Sequence, residues 1–554
     1  MRMHSLWKPR VIVCLALIGL VGGLASCNGG DDAAAPAPGP VSGGPGGGPA
    51  NPGSPPAHTL GNATNGQTVF RSETFGNERF WTDAIRLPAG VVAAKVTPLQ
   101  ALGLGLHVDI DVLDAATVAA LTAELLIDPS GKTSKILNDP ATTVALINAN
   151  AVIGLPAKDT NADGVIDISK GDKVGASCAL CHADTDGAAL NVPNGGSIGK
   201  RRDGGASHTL DFGTLLSIGT NSRAYYPALQ LALAANGGKT LGRAPTGLTE
   251  TSTEAQVDAY LKNKSFYPVG MFDDSVDGNG DPMHNMPLFR QDLAHPYGSE
   301  GAIAKLDNFS NLVYTALLDP TTLTTPGGRA FLQKLGGDAA GKEIADDYAL
   351  VLAATGVTGP FPFVQASAPG NPALAGTEEF PLGVRVDETK LSDMNAFLFA
   401  LAAPAGKAGD QASVDRGRTA FQSNSCTNCH NVDQGKFVPT FIVPMKTIFP
   451  GDNPIVLLPQ RTPPLNPILD TPGVFFDDKM AVVNASLRGL ERGTALPLLL
   501  DLDRKPVFLH DNSVPSLEAL VDSSRGADAP HPFFLDDTDQ RKDVVTFLRS
   551  LGTN

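Results

Sequence analysis

The chain has almost no cysteine to spare, with six in 554 residues. Four of them stand in two short motifs, and the other two, Cys14 and Cys27, lie in an N-terminal leader, so no pair is left for a structural disulfide. Basic residues are also short. The 42 Lys and Arg against 57 Asp and Glu leave a formal charge of −15, which argues against nucleic acid and for a basic partner protein or a small molecule. No Gly-x-Ser-x-Gly elbow, nucleotide-binding glycine loop or zincin motif is present, so the usual hydrolase, nucleotide and metalloprotease chemistries have no footing.

What is present is Cys-x-x-Cys-His, twice: Cys178-Ala179-Leu180-Cys181-His182 and Cys426-Thr427-Asn428-Cys429-His430. Two cysteines three positions apart share one face of a helical turn. Both thiols can then add to the vinyl groups of one porphyrin while the next residue offers an imidazole to the iron, the signature of covalent c-type haem attachment. A thioredoxin-like redox pair or half a zinc site explains a Cys-x-x-Cys, but neither needs a histidine immediately after it, twice. The expected cofactors are therefore two covalently bound haem c groups, with Cys178, Cys181, Cys426 and Cys429 binding the porphyrins and His182 and His430 binding the irons.

The leader has Arg2, Lys8 and Arg10, an apolar run from Val11 to Leu24, and then Leu24-Ala25-Ser26-Cys27. A charged start, a short apolar core and small residues before a cleavage point read as a secretory signal over residues 1–26. The cysteine after the cleavage point resembles a bacterial lipobox and implies lipidation of Cys27. The expectation is an exported protein, periplasmic or at the cell surface, held to a bacterial membrane by a lipid anchor alone. Export agrees with the haem motifs, because c-type haem is attached outside the bacterial cytoplasm. Residues 27–58 are nearly all Gly, Pro, Ala, Ser and Asn and cannot pack a core. As a flexible tether of roughly 30 residues they span on the order of 30 Å.

The remaining chain exceeds the size at which one core keeps growing, so at least two domains are expected. An internal echo divides it. Gly66-Gln67-Thr68-Val69-Phe70 is matched by Gly417-Arg418-Thr419-Ala420-Phe421, and the helical stretch Leu391–Leu401, containing Phe397 and Leu398, is matched by Arg541–Leu551, containing Phe547 and Leu548. Glycine allows close approach and phenylalanine fills the space beside it, so each Gly-x-x-x-Phe helix is expected to cross one Phe-Leu helix, making a cytochrome c core used twice. The reading is a mainly α fold with long loops and few short strands, with a greatly enlarged N-terminal haem domain (59–404) and a compact C-terminal cytochrome c domain (405–554). Within the first, helical patterns run over Ala115–Leu126, Ala141–Ala149, Ser222–Ala235, Thr253–Lys262, Phe309–Leu318 and Ala339–Ala354, separated by loops dense in Gly and Pro.

The stretch from Gly66 to Trp81 resembles the opening of large exported di-haem cytochromes related to the bacterial di-haem cytochrome c peroxidases, whose relatives include the haem enzyme that matures methylamine dehydrogenase and the bacterial rubber oxygenases. In the C-terminal part, Ser486-Leu487-Arg488-Gly489-Leu490, then Val507-Phe508-Leu509-His510-Asp511-Asn512-Ser513, then Ser516-Leu517-Glu518 is similar to the superfamily's Leu-Arg-Asn/Gly, Phe-His-Asp-Gly-Ser and Thr-Leu-Glu blocks. The resemblance implies that the C-terminal haem is six-coordinate and passes electrons while the N-terminal haem meets peroxide or dioxygen. It also implies a sixth ligand to the C-terminal iron just beyond Glu518. Asp522-Ser523-Ser524 stands there in place of Met or Tyr, and His531 is the nearest ligand-capable side chain after it; Met445 and Met480 are rivals, and His510 is read as a structural loop residue. For the N-terminal iron, His208, His284, Met286 and His295 are candidates, each more naturally a loop residue, or the site is open beneath Glu300 and Phe309. The tryptophan that relatives keep between the haems has no counterpart except Trp81, far upstream of the first motif.

Two loops are rich in aspartate. Asp159–Asp167 matches the start of an EF-hand loop, with Gly164 at the sixth position but Lys170 at the twelfth, so calcium and an ordinary turn are both compatible with it. Asp273–Asp281 is less regular and reads as a turn. The expectation is a lipid-anchored di-haem redox protein acting as a peroxidase-like oxidoreductase, with a non-catalytic electron carrier and a dioxygen-activating oxygenase similar to the rubber oxygenases as alternatives.

Overall fold

The computed structural model describes residues 56–552 apart from 241, 243, 274, 281, 299–302, 368–372, 429, 431, 433–441, 445–492, 496, 510–511, 513, 526–530 and 532. Cys27, Glu300, Cys429, Met445, Met480 and His510 therefore lie outside the described residues. The fold is mainly α, at 44% helix and 7% strand.

Two helix crossings built on one pattern dominate it. In the first, α1 (Ala63–Ser72) packs across α3 (Glu388–Ala400); in the second, α4 (Gln411–Ser423) packs across α5 (Thr538–Ser550). A Cβ on Gly66 would fall 1.9 Å from the Asp393 carbonyl oxygen and 2.9 Å from Phe397 Cβ, and one on Gly417 would fall 2.1 Å from the Asp543 carbonyl oxygen and 2.7 Å from Phe547 Cβ. Only hydrogen fits in either place. Beside each glycine the rings pair, Phe70 with Phe397 at 5.5 Å and Phe421 with Phe547 at 5.8 Å between centroids. Even the acid at the crossing is shared. Asp393 accepts the Asn62 N–H at 2.6 Å, one residue before α1, and Asp543 accepts the Arg416 guanidinium at 2.7 and 3.0 Å. Gly66→Ala is accordingly expected to lower unfolding stability by about 1–3 kcal/mol or more, measured as a shift in the chemical-denaturation midpoint at unchanged slope; a midpoint within error of wild type would show that the crossing yields freely.

The buried apolar side chains fall into two principal clusters, one drawn from residues 69–398 and one from residues 420–551. A small third cluster of Phe289, Ala403 and Leu500, with Leu401 and Leu498 against it, lies where the segment after α3 and the chain near residue 500 meet.

Between α1 and α3 the expected helices appear over Ala115–Ile127, Pro140–Asn148, Glu254–Lys262, Leu306–Leu312 and Asp338–Ala354. One expectation fails. Residues 222–235 do not form an α-helix, because Pro227 can neither donate a helical hydrogen bond nor tolerate the carbonyl four residues back. The segment closes instead as two 3-10 turns, Ser222–Ala228 and Ala234–Asn236. The strands are short: β1 (Val108–Asp109), β2 (Ala157–Lys158), β3 (Lys173–Val174), β4 (Ala183–Thr185), β5 (Leu190–Asn191), β6 (Ser197–Gly199), β7 (Arg201–Asp203), β8 (Met271–Phe272), β9 (Met283–His284), and an antiparallel pair of β10 (Ile442–Pro444) with β11 (Gly493–Ala495). β6 pairs parallel with β1 and antiparallel with β5, and the pairs β2–β3, β4–β7 and β8–β9 are antiparallel.

His107, at the head of β1, is a buried structural histidine. Its Nδ1 accepts the Ser197 N–H at 3.1 Å and lies 2.9 Å from the Ser197 hydroxyl, and burial pulls its pKa from 6.5 down to about 4. Between those values the unfolded chain binds a proton that the native chain refuses. Stability from this group is therefore complete above pH 6.5 and is lost as the pH falls toward 4, by up to on the order of 3 kcal/mol. His107→Asn should flatten that part of a denaturation-midpoint-against-pH curve; an unaltered slope would assign the loss to other groups.

Candidate haem-binding site

The first motif is held by chain segments far from it in sequence. Asn77, fully buried, grips the backbone two residues before Cys178, its amide donating to the Ala176 carbonyl at 2.8 Å and accepting the Ala176 N–H at 2.9 Å. The Ser177 hydroxyl donates to the carbonyl of Arg71 in α1 at 2.8 Å. Gly154, at φ +78°, lies so close beneath the motif that a Cβ would meet Leu180 Cα and N at 2.1 Å. Cys178 then opens α2 (Ala179–His182), and the His182 N–H closes the turn on the Cys178 carbonyl at 3.1 Å.

His182 follows with one nitrogen committed. Its Nδ1 lies 2.8 Å from the Met286 carbonyl oxygen. A carbonyl can only accept, so Nδ1 carries the hydrogen, and burial pulls the pKa down to about 4, keeping the ring neutral. The lone pair is left on Nε2, the arrangement in which an imidazole binds a metal with its other nitrogen anchored to the backbone. The cysteines are not thiolates. Burial pushes Cys178 up to about 11 and Cys181 up to about 12, contrary to the lowered values of redox-active pairs. The Tyr314 hydroxyl stands 3.3 Å from Cys178 Sγ and donates to the Glu73 carbonyl at 3.2 Å, in a π-helical turn, Val313–Leu317.

The second motif repeats the local geometry. Cys426–Asn428 forms a 3-10 turn and the His430 N–H closes on the Cys426 carbonyl at 2.9 Å. The ring of His430 faces that of His531, with centroids 6.1 Å apart and planes at 49°. Among the described residues neither buried Nδ1 atom has a hydrogen-bond partner, and burial pulls His430 down to about 4 and His531 to about 3. His531 also sits in the left-handed region at φ 55°, which a non-glycine residue adopts at a cost usually met at functional sites. An imidazole nitrogen reaches a divalent transition metal at about 2.0–2.1 Å, and the ring centre lies about 1.1 Å further on, so rings opposed across one metal have centroids about 6 Å apart. The 6.1 Å between His430 and His531 matches that spacing, so these two imidazoles would be the side chains to hold a metal between them.

Other candidates fall elsewhere. The Met286 carbonyl is taken by His182, while the His295 Nδ1 lies 3.2 Å from the Ala304 carbonyl oxygen. His284 in β9 lies 3.3 Å from Lys505, and His208 is buried, pulled down to about 3 by burial and by the nearby Lys505 charge. Trp81 is fully buried against Phe80 and Phe212, and its neighbours Asn77 and Thr82 bond to residues 174–176, so it lies behind the chain entering the first motif. In the EF-hand-like loop, Asp159 accepts the Gly164 N–H at 2.9 Å and Asp163 the Val165 N–H at 2.9 Å, and among the described residues no three His, Cys, Asp or Glu side chains converge on a metal position. Tyr314, Asn77 and the Met286 carbonyl were not singled out in the sequence. A backbone carbonyl has no residue signature, and Asn77 is one polar residue among many.

No protein-family model and no curated protein matches the chain. Among solved structures, hydrazine synthase of Kuenenia stuttgartiensis is similar at 13% identity and a TM-score of 0.17, over 30% of this chain and 57% of that one. The match thus spans little more than half of that chain's length, and at that TM-score it carries no argument about fold or function.

Proposed function

We propose that the chain is a di-haem c-type cytochrome acting as a redox protein, with one cytochrome c-like core on each helix crossing. The observation that carries this reading is the opposition of His430 and His531 at 6.1 Å beside Cys426, together with an equally placed His182 beside Cys178 and Cys181. Bound haem supplies a one-electron iron couple and, at an iron with an open position, redox chemistry on peroxide or dioxygen.

The residues divide that work unevenly. His430 and His531 offer a closed pair, suited to electron transfer. At the first motif, the Met286 carbonyl fixes the His182 tautomer and aims Nε2, while among the described residues no imidazole opposes His182 as His531 opposes His430. That asymmetry supports a peroxidase-like oxidoreductase with its active haem at Cys178–His182 and its electron-transfer haem at Cys426–His430. An exported, lipid-anchored setting through Cys27 belongs to the same reading, as does a redox partner protein or a small-molecule oxidant.

The test is electron paramagnetic resonance of the fully oxidised holoprotein, alongside an intact-mass count of covalent haem. One high-spin and one low-spin ferric signal is the expected result. Two low-spin signals that persist after one-electron reduction would overturn the enzyme reading in favour of an electron carrier, and a mass without haem would overturn the cofactor assignment itself.

A further inference from the structure

The first core contains a cavity of about 40 Å³ whose wall includes Val91, Leu104, Ile147 and Ile218. A water site needs about 10–15 Å³ and two to four polar partners. The volume is ample for water, but the partners are missing. The one hydroxyl in the wall, on Thr143, already donates to the Val96 carbonyl at 2.6 Å. A water molecule entering would give up its hydrogen bonds, whereas an apolar solute of two or three heavy atoms gives up none and gains dispersion contacts with the apolar wall.

The cavity lies against the chain that carries the first motif. Leu155 and Val174 both line it. Val174 ends β3 four residues before Cys178, its N–H and C=O held by the Thr82 hydroxyl at 2.8 and 3.0 Å. Leu155 follows Gly154, the glycine in van der Waals contact with the backbone of Leu180. From these observations we infer that the cavity is a binding site for a small apolar gas of the size of dioxygen, held next to the Cys178–His182 turn.

Xenon is the probe, because it occupies dry apolar cavities of this kind. Crystals of the full-length holoprotein under xenon pressure should show one xenon atom bounded by Val91, Leu104, Ile147 and Ile218, and Leu104→Phe, which fills the space from the half-buried side, should abolish that peak. An empty cavity under pressure, an ordered water in its place, or a xenon peak that persists unchanged in Leu104→Phe would each overturn the inference. If Leu104→Phe does not fold, the wild-type crystal alone decides, since xenon or water at that position is read directly. Neither result depends on haem occupancy, so failure here leaves the di-haem reading where it stands.

Discussion

If the chain holds two haems as proposed, His531→Ala is expected to keep both covalently attached and to turn one of the two irons from low-spin to high-spin. The midpoint potential of that iron moves by a sizeable part of the roughly 0.8 V range that axial ligation spans. The reasoning is local. His531 Nδ1 is buried with no partner among the described residues, its ring is kept neutral by burial, and it lies 6.1 Å from the His430 ring. A histidine with that much desolvation and no hydrogen bond to offset it costs stability unless the other nitrogen has a strong partner. Removing it would leave His430, among the described residues, without an opposed imidazole to hold the proposed iron. Added free imidazole should restore the low-spin signal, which a merely structural role for His531 would not do. A low-spin spectrum unchanged by the substitution would sink the assignment and return attention to Met445 and Met480, outside the described residues.

On the proposed di-haem reading, Cys178→Ala with Cys181→Ala is expected to lower the covalently bound haem from two groups per chain to one, read by intact mass and by haem absorbance after denaturation. The remaining haem should keep the low-spin spectrum of the His430–His531 pair. The two thiols lie on one turn closed by the His182 N–H bond to the Cys178 carbonyl, and burial keeps both protonated. That environment is wrong for thiol exchange, which needs an accessible thiolate. A haem count untouched by the double substitution would leave the pair as plain buried cysteines and remove the N-terminal site altogether.

Much of this arrangement is legible in the chain because it is written in short-range pattern. Cys-x-x-Cys-His defines its own turn, since residues three and four apart are neighbours on a helix, and both motifs close with the same hydrogen bond from the histidine to the first cysteine. The helix crossings are legible for a related reason. Close approach of two helices leaves room for hydrogen alone at one position, so Gly66 and Gly417 mark the contact, and Phe70, Phe397, Phe421 and Phe547 mark the space beside it. A local rule can override periodicity, as at Pro227, which breaks the helix that the apolar pattern predicts over Ser222–Ala235.

By itself, then, the amino-acid order determined the two Cys-x-x-Cys-His turns, the mainly helical class and the two matched helix pairs, because each depends on residues within a turn or on the size of one side chain. Tertiary structure alone decided what surrounds the motifs. The Met286 carbonyl at His182, the Asn77 clamp on Ala176, Tyr314 beside Cys178 and the ring of His531 opposite His430 join residues about 100 or more positions apart. Sequence order could rank His531 only as the nearest ligand-capable side chain after Glu518. Which distant group reaches a given imidazole is set by how loops close over the core, and loop closure depends on the summed packing of the whole chain rather than on any local pattern.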